Sequence, residues 1–212
     1  MKRLLVVLLA ACAPLAAQTA HPQNHPPQNV HEYARALDDP AREAWQKPDE
    51  VIRALALRPD ELVADIGAGT GYFARRMARH AAKVYAVDID TKLLEKIRQG
   101  ALESLQTILA APDDPNLPPA SVDTLFFCNV LHHIENRPAY YPKLAQALKP
   151  GGRIVIIEFF KRKLPVGPPE SMKLTEQEVI HELKAAGFAK TKSFDFLPYQ
   201  YFFVFERQGA DH

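Results

Sequence analysis

Residues 63–73 read Val63-Ala64-Asp65-Ile66-Gly67-Ala68-Gly69-Thr70-Gly71-Tyr72-Phe73, and the fold turns on this stretch. Apolar residues run into an acid, three glycines alternate, and a helical pattern begins. That order fits a buried strand, a tight turn and a helix start. Glycines at alternate positions carry no Cβ, so positive φ angles cost little and a ligand can lie directly on the backbone. A helix is expected from about Tyr72 to His80, with Phe73 and Met77 on one face and Arg75, Arg76 and Arg79 largely on the other. Such a helix packs well on a sheet.

Two cofactor classes use a turn of this kind, and spacing separates them. A dinucleotide turn needs G-x-G-x-x-G. Here the spacing is G-x-G-x-G, and the third dinucleotide glycine falls at Tyr72, where bulk obstructs close helix–strand packing. Asp65 adds like charge near a pyrophosphate, but it suits a ligand carrying an ammonium or a sulfonium. At these residues the sequence resembles class I S-adenosylmethionine (SAM) dependent methyltransferases of the type 11/25-like group, whose first motif has this acid and this glycine spacing. The competing reading is a glycine-rich turn that binds nothing.

The chain has 212 residues, enough for one α/β domain with a proper core. Its net charge is +1 with no long basic run, which argues against a nucleic-acid partner. The two cysteines, Cys12 and Cys128, lie in an expected export signal and an expected buried strand. Neither a disulfide between them nor a zinc site follows from their spacing.

Met1-Lys2-Arg3 is a short basic start, Leu4 to Ala11 is unbroken apolar sequence, and Ala13 to Ala17 continues in small and apolar residues. This layout reads as a secretory signal over residues 1–17, too short to span a membrane as a mature helix. Cleavage after about Ala17 or Gln18 frees an exported, periplasmic protein. Alternatively, Leu9-Ala10-Ala11-Cys12 resembles a bacterial lipoprotein box that anchors Cys12 through lipid. The apolar stretch before Cys12 is short for that, which favours the soluble product. Residues 18–30 are rich in Pro, Gln, Asn and His and read as a disordered linker. His21, His25 and His31 are read as part of a polar spacer, with loose metal binding the lesser alternative.

Tyr33 to Lys47 reads as helical with a break at Asp38-Asp39-Pro40, where Asp39 caps and Pro40 takes the first helical position. In the resembled family a segment before the core often folds over the cofactor, so Tyr33 and Trp45 are candidates for a lid; a core anchor is the other reading of Trp45. Pro48 to Leu57 is a further helix, and the first strand runs from Leu62 to Ile66.

Val84 to Asp88 reads as the second strand, ending in an acid about 20 residues after the first glycine, as a ribose partner should. Asp88 is therefore assigned to both ribose hydroxyls and Ile89 to the adenine face. Asp90 caps the next helix. After a short third strand, the resemblance implies that Asp113, with Asp114 the next candidate, pairs with the adenine amino group; a turn built on Asp-Pro is the alternative. The fourth strand, Ser121 to Val130, is mostly apolar after Asp123 and therefore central. Asn129 at its end joins the cofactor-binding set of Asp65, Gly67, Gly69, Gly71, Asp88, Ile89 and Asp113.

Leu131-His132-His133-Ile134 follows, and the family has such a histidine pair where a strand end faces the methyl group. His132 and His133 are thus the catalytic candidates, since neutral imidazole accepts a proton near pH 7. A histidine that merely holds the loop is the alternative. Arg137 to Leu148 is a helix stopped by Lys149-Pro150-Gly151-Gly152, and Arg153 to Phe160 is the fifth strand, which places Glu158 near the substrate. Thr175 and Glu178 form a capping box. Phe188 to Leu197 and Tyr201 to Glu206 read as an antiparallel pair.

The expected architecture is one Rossmann-like, doubly wound α/β three-layer domain over residues 31–207. The resemblance implies seven strands in the order 3-2-1-4-5-7-6, mostly parallel with an antiparallel C-terminal strand. The cofactor lies at the switch point between strands 1 and 4. The implied activity is methyl transfer from SAM to a small-molecule acceptor; an exported SAM-fold binding protein without transferase activity is the alternative. No metal is expected.

Overall fold

A computed structural model describes residues 30–100 and 102–209. The leader, Cys12, the spacer through Asn29, the side chain of Tyr33 and Ala101 lie outside the described residues. The strands are β1 (Leu62–Ile66), β2 (Lys83–Asp88), β3 (Leu105–Leu109), β4 (Val122–Cys128), β5 (Leu148–Phe159), β6 (Phe188–Phe194) and β7 (Gln200–Arg207). They form one sheet in the order β3-β2-β1-β4-β5-β7-β6, as expected from the resemblance. Neighbours from β3 through β5 are parallel, whereas β7 runs antiparallel to both β5 and β6.

The helices are α1 (Val30–Leu37), α2 (Glu43–Gln46), α3 (Pro48–Leu55), α4 (Ala74–Met77), α5 (Thr91–Arg98), α6 (Arg137–Ala147) and α7 (Glu176–Ala185). The period of two along a strand divides the core. Val63, Phe126, Val155 and Ile157 bury against α3, α4 and α5. Ala64, Leu125, Phe127, Ile154 and Ile156 bury against α6 and α7 on the opposite face. The helix after β1 and the helix after β4 therefore leave to opposite sides, and a crevice opens between their starts.

Among the boundaries that differ from expectation, two have a clear physical cause. The helix after the glycine loop is regular only from Ala74 to Met77. Beyond it the bonds tighten to Arg79 N→Arg76 O and His80 N→Met77 O, so the last turn is 3₁₀ in character. The fifth strand begins at Leu148, because Leu148 already pairs with Val122 before the register shifts around Pro150-Gly151-Gly152. Other signals act as read. The Asp39 side chain accepts from Ala41 N at 2.9 Å, Asp90 caps α5, and Thr175 and Glu178 close their box at α7.

At the amino edge of the sheet, buried Glu61 accepts from Thr124 Oγ1 at 2.6 Å and Arg153 Nη2 at 2.9 Å. This cluster closes the end away from the crevice. Among the described residues no helix is long and apolar enough to cross a membrane.

Candidate functional site

The apolar run of β1 ends at Asp65, whose period-two position sets it on the α3–α5 face beside Phe126 of β4. Asp65 is 3% exposed. Burial, with the nearby Asp88 carboxylate adding repulsion, pushes its carboxyl up to about 8; the Ala74 amide and Arg42 pull the other way.

Gly67, Gly69 and Gly71 take φ of 68°, 58° and 85°. Their need for glycine is partly met by protein neighbours rather than by open backbone alone. A Cβ on Gly67 would overlap the side chain of Val130, and one on Gly69 would come within 2.9 Å of Leu37 Cδ1. The Gly69 amide donates to Asp88 Oδ2 at 2.8 Å, while Asp88 Oδ1 accepts from Asp90 N at 2.9 Å. A carboxylate offers about four lone-pair sites, so Asp88 keeps acceptor capacity for a diol. Next to it Ile89 is 51% exposed, one of few large apolar side chains so bare.

Residues 37–47 form a strap across this edge. Asp38 Oδ1 accepts from Thr70 Oγ1 at 2.5 Å, and Arg76 of α4 donates to Glu43 at 2.8 Å. Trp45 packs on Phe159 with ring centroids 5.6 Å apart, so it serves the strap and the core together. A buried amide chain holds the middle of the strap. Gln46 Nε2 donates to Gln200 Oε1 at 2.8 Å, and Gln200 Nε2 donates to Asn129 Oδ1 at 2.7 Å. Asn129, at φ 58°, thus spends its carbonyl on the strap fastening. A polar cavity of about 330 Å³, lined in part by Asp38, Thr70, Tyr72 and Lys96, flanks the strap and the glycine loop.

On the other face, Val130 leads into a 3₁₀ turn, Leu131–His133. His132 Nδ1 lies 2.8 Å from Glu158 Oε2, and the His132 backbone N–H donates to Glu158 Oε1 at 3.3 Å. Glu158 is 1% exposed. The His133 ring sits 4.1 Å from that of His132. Burial, then the neighbouring His132, lowers His133 to about 4, so it stays neutral at ordinary pH. Cys128, at the end of β4, is a free thiol pushed up to about 12 by burial.

The structure therefore gathers Asp65, Gly67, Gly69, Gly71, Asp88 and Ile89 along one loop and edge, and Asn129, His132 and Glu158 along the other. Asp113 stands apart. Its carboxylate is 83% exposed and lies 3.6 Å from Lys143 Nζ of α6, and its carbonyl accepts from the same ammonium.

The sequence profile of the methyltransferase domain family matches residues 64–156, from the middle of β1 into β5. Over these residues the chain is similar to class I SAM-dependent methyltransferase domains. The chain is 34% identical over 127 residues to a demethylmenaquinone methyltransferase of Tropheryma whipplei, covering 58% of this chain and 52% of that one. It is 35% identical over 96 residues to a ubiquinone biosynthesis O-methyltransferase of Idiomarina loihiensis, covering 43% and 40%. The chain spans about half the length of the curated relatives it matches. A crystal structure of a SAM-dependent methyltransferase from Aquifex aeolicus shares the fold, with a TM-score of 0.78, 23% identity, and 84% of this chain and 98% of that chain covered.

S-adenosylmethionine is the cofactor this family uses. The residues of this site fit it. Asp65 is a buried acid in want of a cation, Asp88 has acceptor sites to spare, and Ile89 offers a bare apolar face. Three contributors escape sequence reading. Arg42 looks like any charge on a solvated helix, and Gln46 and Gln200 meet only across 154 residues of chain. Glu158 did carry a signal, since it ends an apolar strand in an acid just as Asp65 and Asp88 do.

Proposed function

We propose that this protein transfers a methyl group to a hydroxyl of a small-molecule acceptor, with His132 taking the hydroxyl proton and Glu158 orienting His132. The observation that carries this reading is the buried Glu158–His132 pair at the carboxyl edge of β4 and β5. SAM, when bound, supplies a methyl group on a positively charged sulfur. A carboxylate only accepts hydrogen bonds, so His132 Nδ1 carries the proton and Nε2 keeps its lone pair. The ring is fixed by a second bond through its own backbone amide. As the oxygen gains the methyl, its proton passes to Nε2, and the imidazolium formed is stabilised by Glu158. The titratable groups around the pair are His133, Cys128 and Tyr201; burial keeps the Tyr201 phenol protonated. The strap, closed over the edge, excludes water, which aids positioning. A relative named as an O-methyltransferase supports an oxygen acceptor.

A labelled-methyl assay over phenols and thiols tests this. Glu158→Gln is expected to lower the turnover of a phenolic acceptor roughly 30-fold, less than the roughly 10²–10⁴ that a proton-transferring group itself contributes, because His132 stays in place. The affinity for S-adenosylhomocysteine should stay unchanged. Transfer confined to thiols and indifferent to Glu158→Gln would remove the reading.

We also propose export of the chain, on the strength of the basic start and the apolar run from Leu4 to Ala11. Mass spectrometry of the mature N-terminus from fractionated cells is expected to find it at or just after Ala17, in the periplasmic fraction. A lipidated Cys12 would support the anchored form, and an intact Met1 in the cytoplasmic fraction would rule out both.

A further inference from the structure

We propose that Tyr72 and Arg42 together seat the α-carboxylate of the cofactor's methionine moiety, opposite Asp65, which takes its ammonium. The Tyr72 hydroxyl is buried and has no hydrogen-bond partner among the described residues. A buried hydroxyl without a partner is costly, and native folds rarely keep one without a reason. The Tyr72 ring lies between two guanidinium groups, Arg42 at 4.0 Å from its centroid and Arg76 at 4.2 Å. The two cations differ. Arg76 is paired with Glu43. Arg42 bonds only neutral acceptors among the described residues: Leu37 O at 2.8 Å, and Gln46 Oε1 at 3.3 Å and 3.4 Å.

Both groups belong to the crevice. Arg42 is near enough to Asp65 and Cys128 to bias their protonation, and Tyr72 senses Cys128 as well. One cation and one hydroxyl donor together with a buried acid match an α-amino acid head group, which carries both charges a few ångströms apart. Guanidinium is the cation best shaped for a carboxylate. The seat is split between the strap and the glycine loop, so the same carboxylate would tie the strap down.

This inference rests on SAM being the cofactor, and the test separates the two. Calorimetry on the full chain compares S-adenosylhomocysteine with S-adenosyl-3-thiopropylamine, which keeps the amine and lacks the carboxylate. The wild type is expected to prefer the first by at least tenfold. Arg42→Gln should weaken S-adenosylhomocysteine about 30-fold and Tyr72→Phe about 5- to 10-fold, as for bonds to a charged group. Each should change the decarboxylated ligand less than threefold. Tyr72→Phe should also leave the ligand-free melting temperature unchanged or higher, since it deletes an unpartnered group. Glu43→Ala, which loosens the strap without touching either donor, should shift both ligands by equal factors. Equal losses for both ligands in Arg42→Gln and Tyr72→Phe would overturn the carboxylate seat while leaving the cofactor in place. Failure of the wild type to bind either nucleoside would overturn the cofactor and the seat together.

Discussion

Asp65→Asn is expected to stabilise the ligand-free protein at pH 8 while stripping it of cofactor affinity. The folded-state carboxyl is raised from 3.8 to about 8, chiefly by burial. A raised acid binds its proton more tightly in the folded chain than in the unfolded one. Its contribution is therefore full below pH 3.8 and is lost as pH climbs through 8. Each unit corresponds to about 1.4 kcal/mol, so between pH 5 and pH 8 the wild type should lose on the order of 4 kcal/mol from this group alone. Asparagine keeps an acceptor for the Ala74 amide and has no proton to lose. Thermal melts at pH 5 and pH 8 should show a much smaller loss for Asp65→Asn, and calorimetry should show S-adenosylhomocysteine bound roughly 100-fold more weakly, because a buried cation then faces a neutral amide. A variant that melts below the wild type at pH 8 would mean that the carboxylate is already ionised and paired in the resting fold.

The second large effect is steric. Gly67→Ala is expected to cost about 3 kcal/mol in urea denaturation. Part comes from φ of 68°, which an L side chain adopts at about 1–2 kcal/mol, and part from overlap with Val130, a further 1–3 kcal/mol for overpacking. Val130→Ala should recover roughly half of that loss in the double variant. Gly187→Ala provides the control. Gly187 has φ of 87° but open space around a built Cβ, so only backbone strain remains and about 1 kcal/mol is expected. Equal costs at the two glycines, with no coupling to Val130, would show that crowding at the switch point plays no part.

The contrast bears on what a sequence can disclose. The alternation of three glycines after an apolar run is local chemistry, and it located β1, the turn and α4 because positive φ and strand burial each leave marks on adjacent residues. The acids closing β1 and β2 were legible for the same reason. The occupants of the space above the glycines were not, because Val130 and Leu37 arrive from residues far along the chain and neither has a telling composition. The short α4 was over-read, since Arg75 to Arg79 favour a helix while the following turn tightens. Asp113 is implied only by the resemblance, in a stretch whose prolines blur the register, and its carboxylate lies 3.6 Å from Lys143. The histidine pair was visible, but which histidine has a carboxylate behind it was not, because the period-two rule had to be carried through β5 to bring Glu158 to the same face.

The strap's amide fastening joins Gln46 to Gln200, and Gln200 opens the strand that fills the gap between β5 and β6. A nascent chain that has emerged from the ribosome only as far as β5 owns the glycine loop, Asp65 and Asp88, and the outer contacts of its strap, yet lacks the buried amide that fastens the strap's middle and exposes the outer edge of β5 to other chains. The complete fastening thus arrives late, with β7, and a product truncated before residue 200 is left with a loosened strap and an unpaired edge.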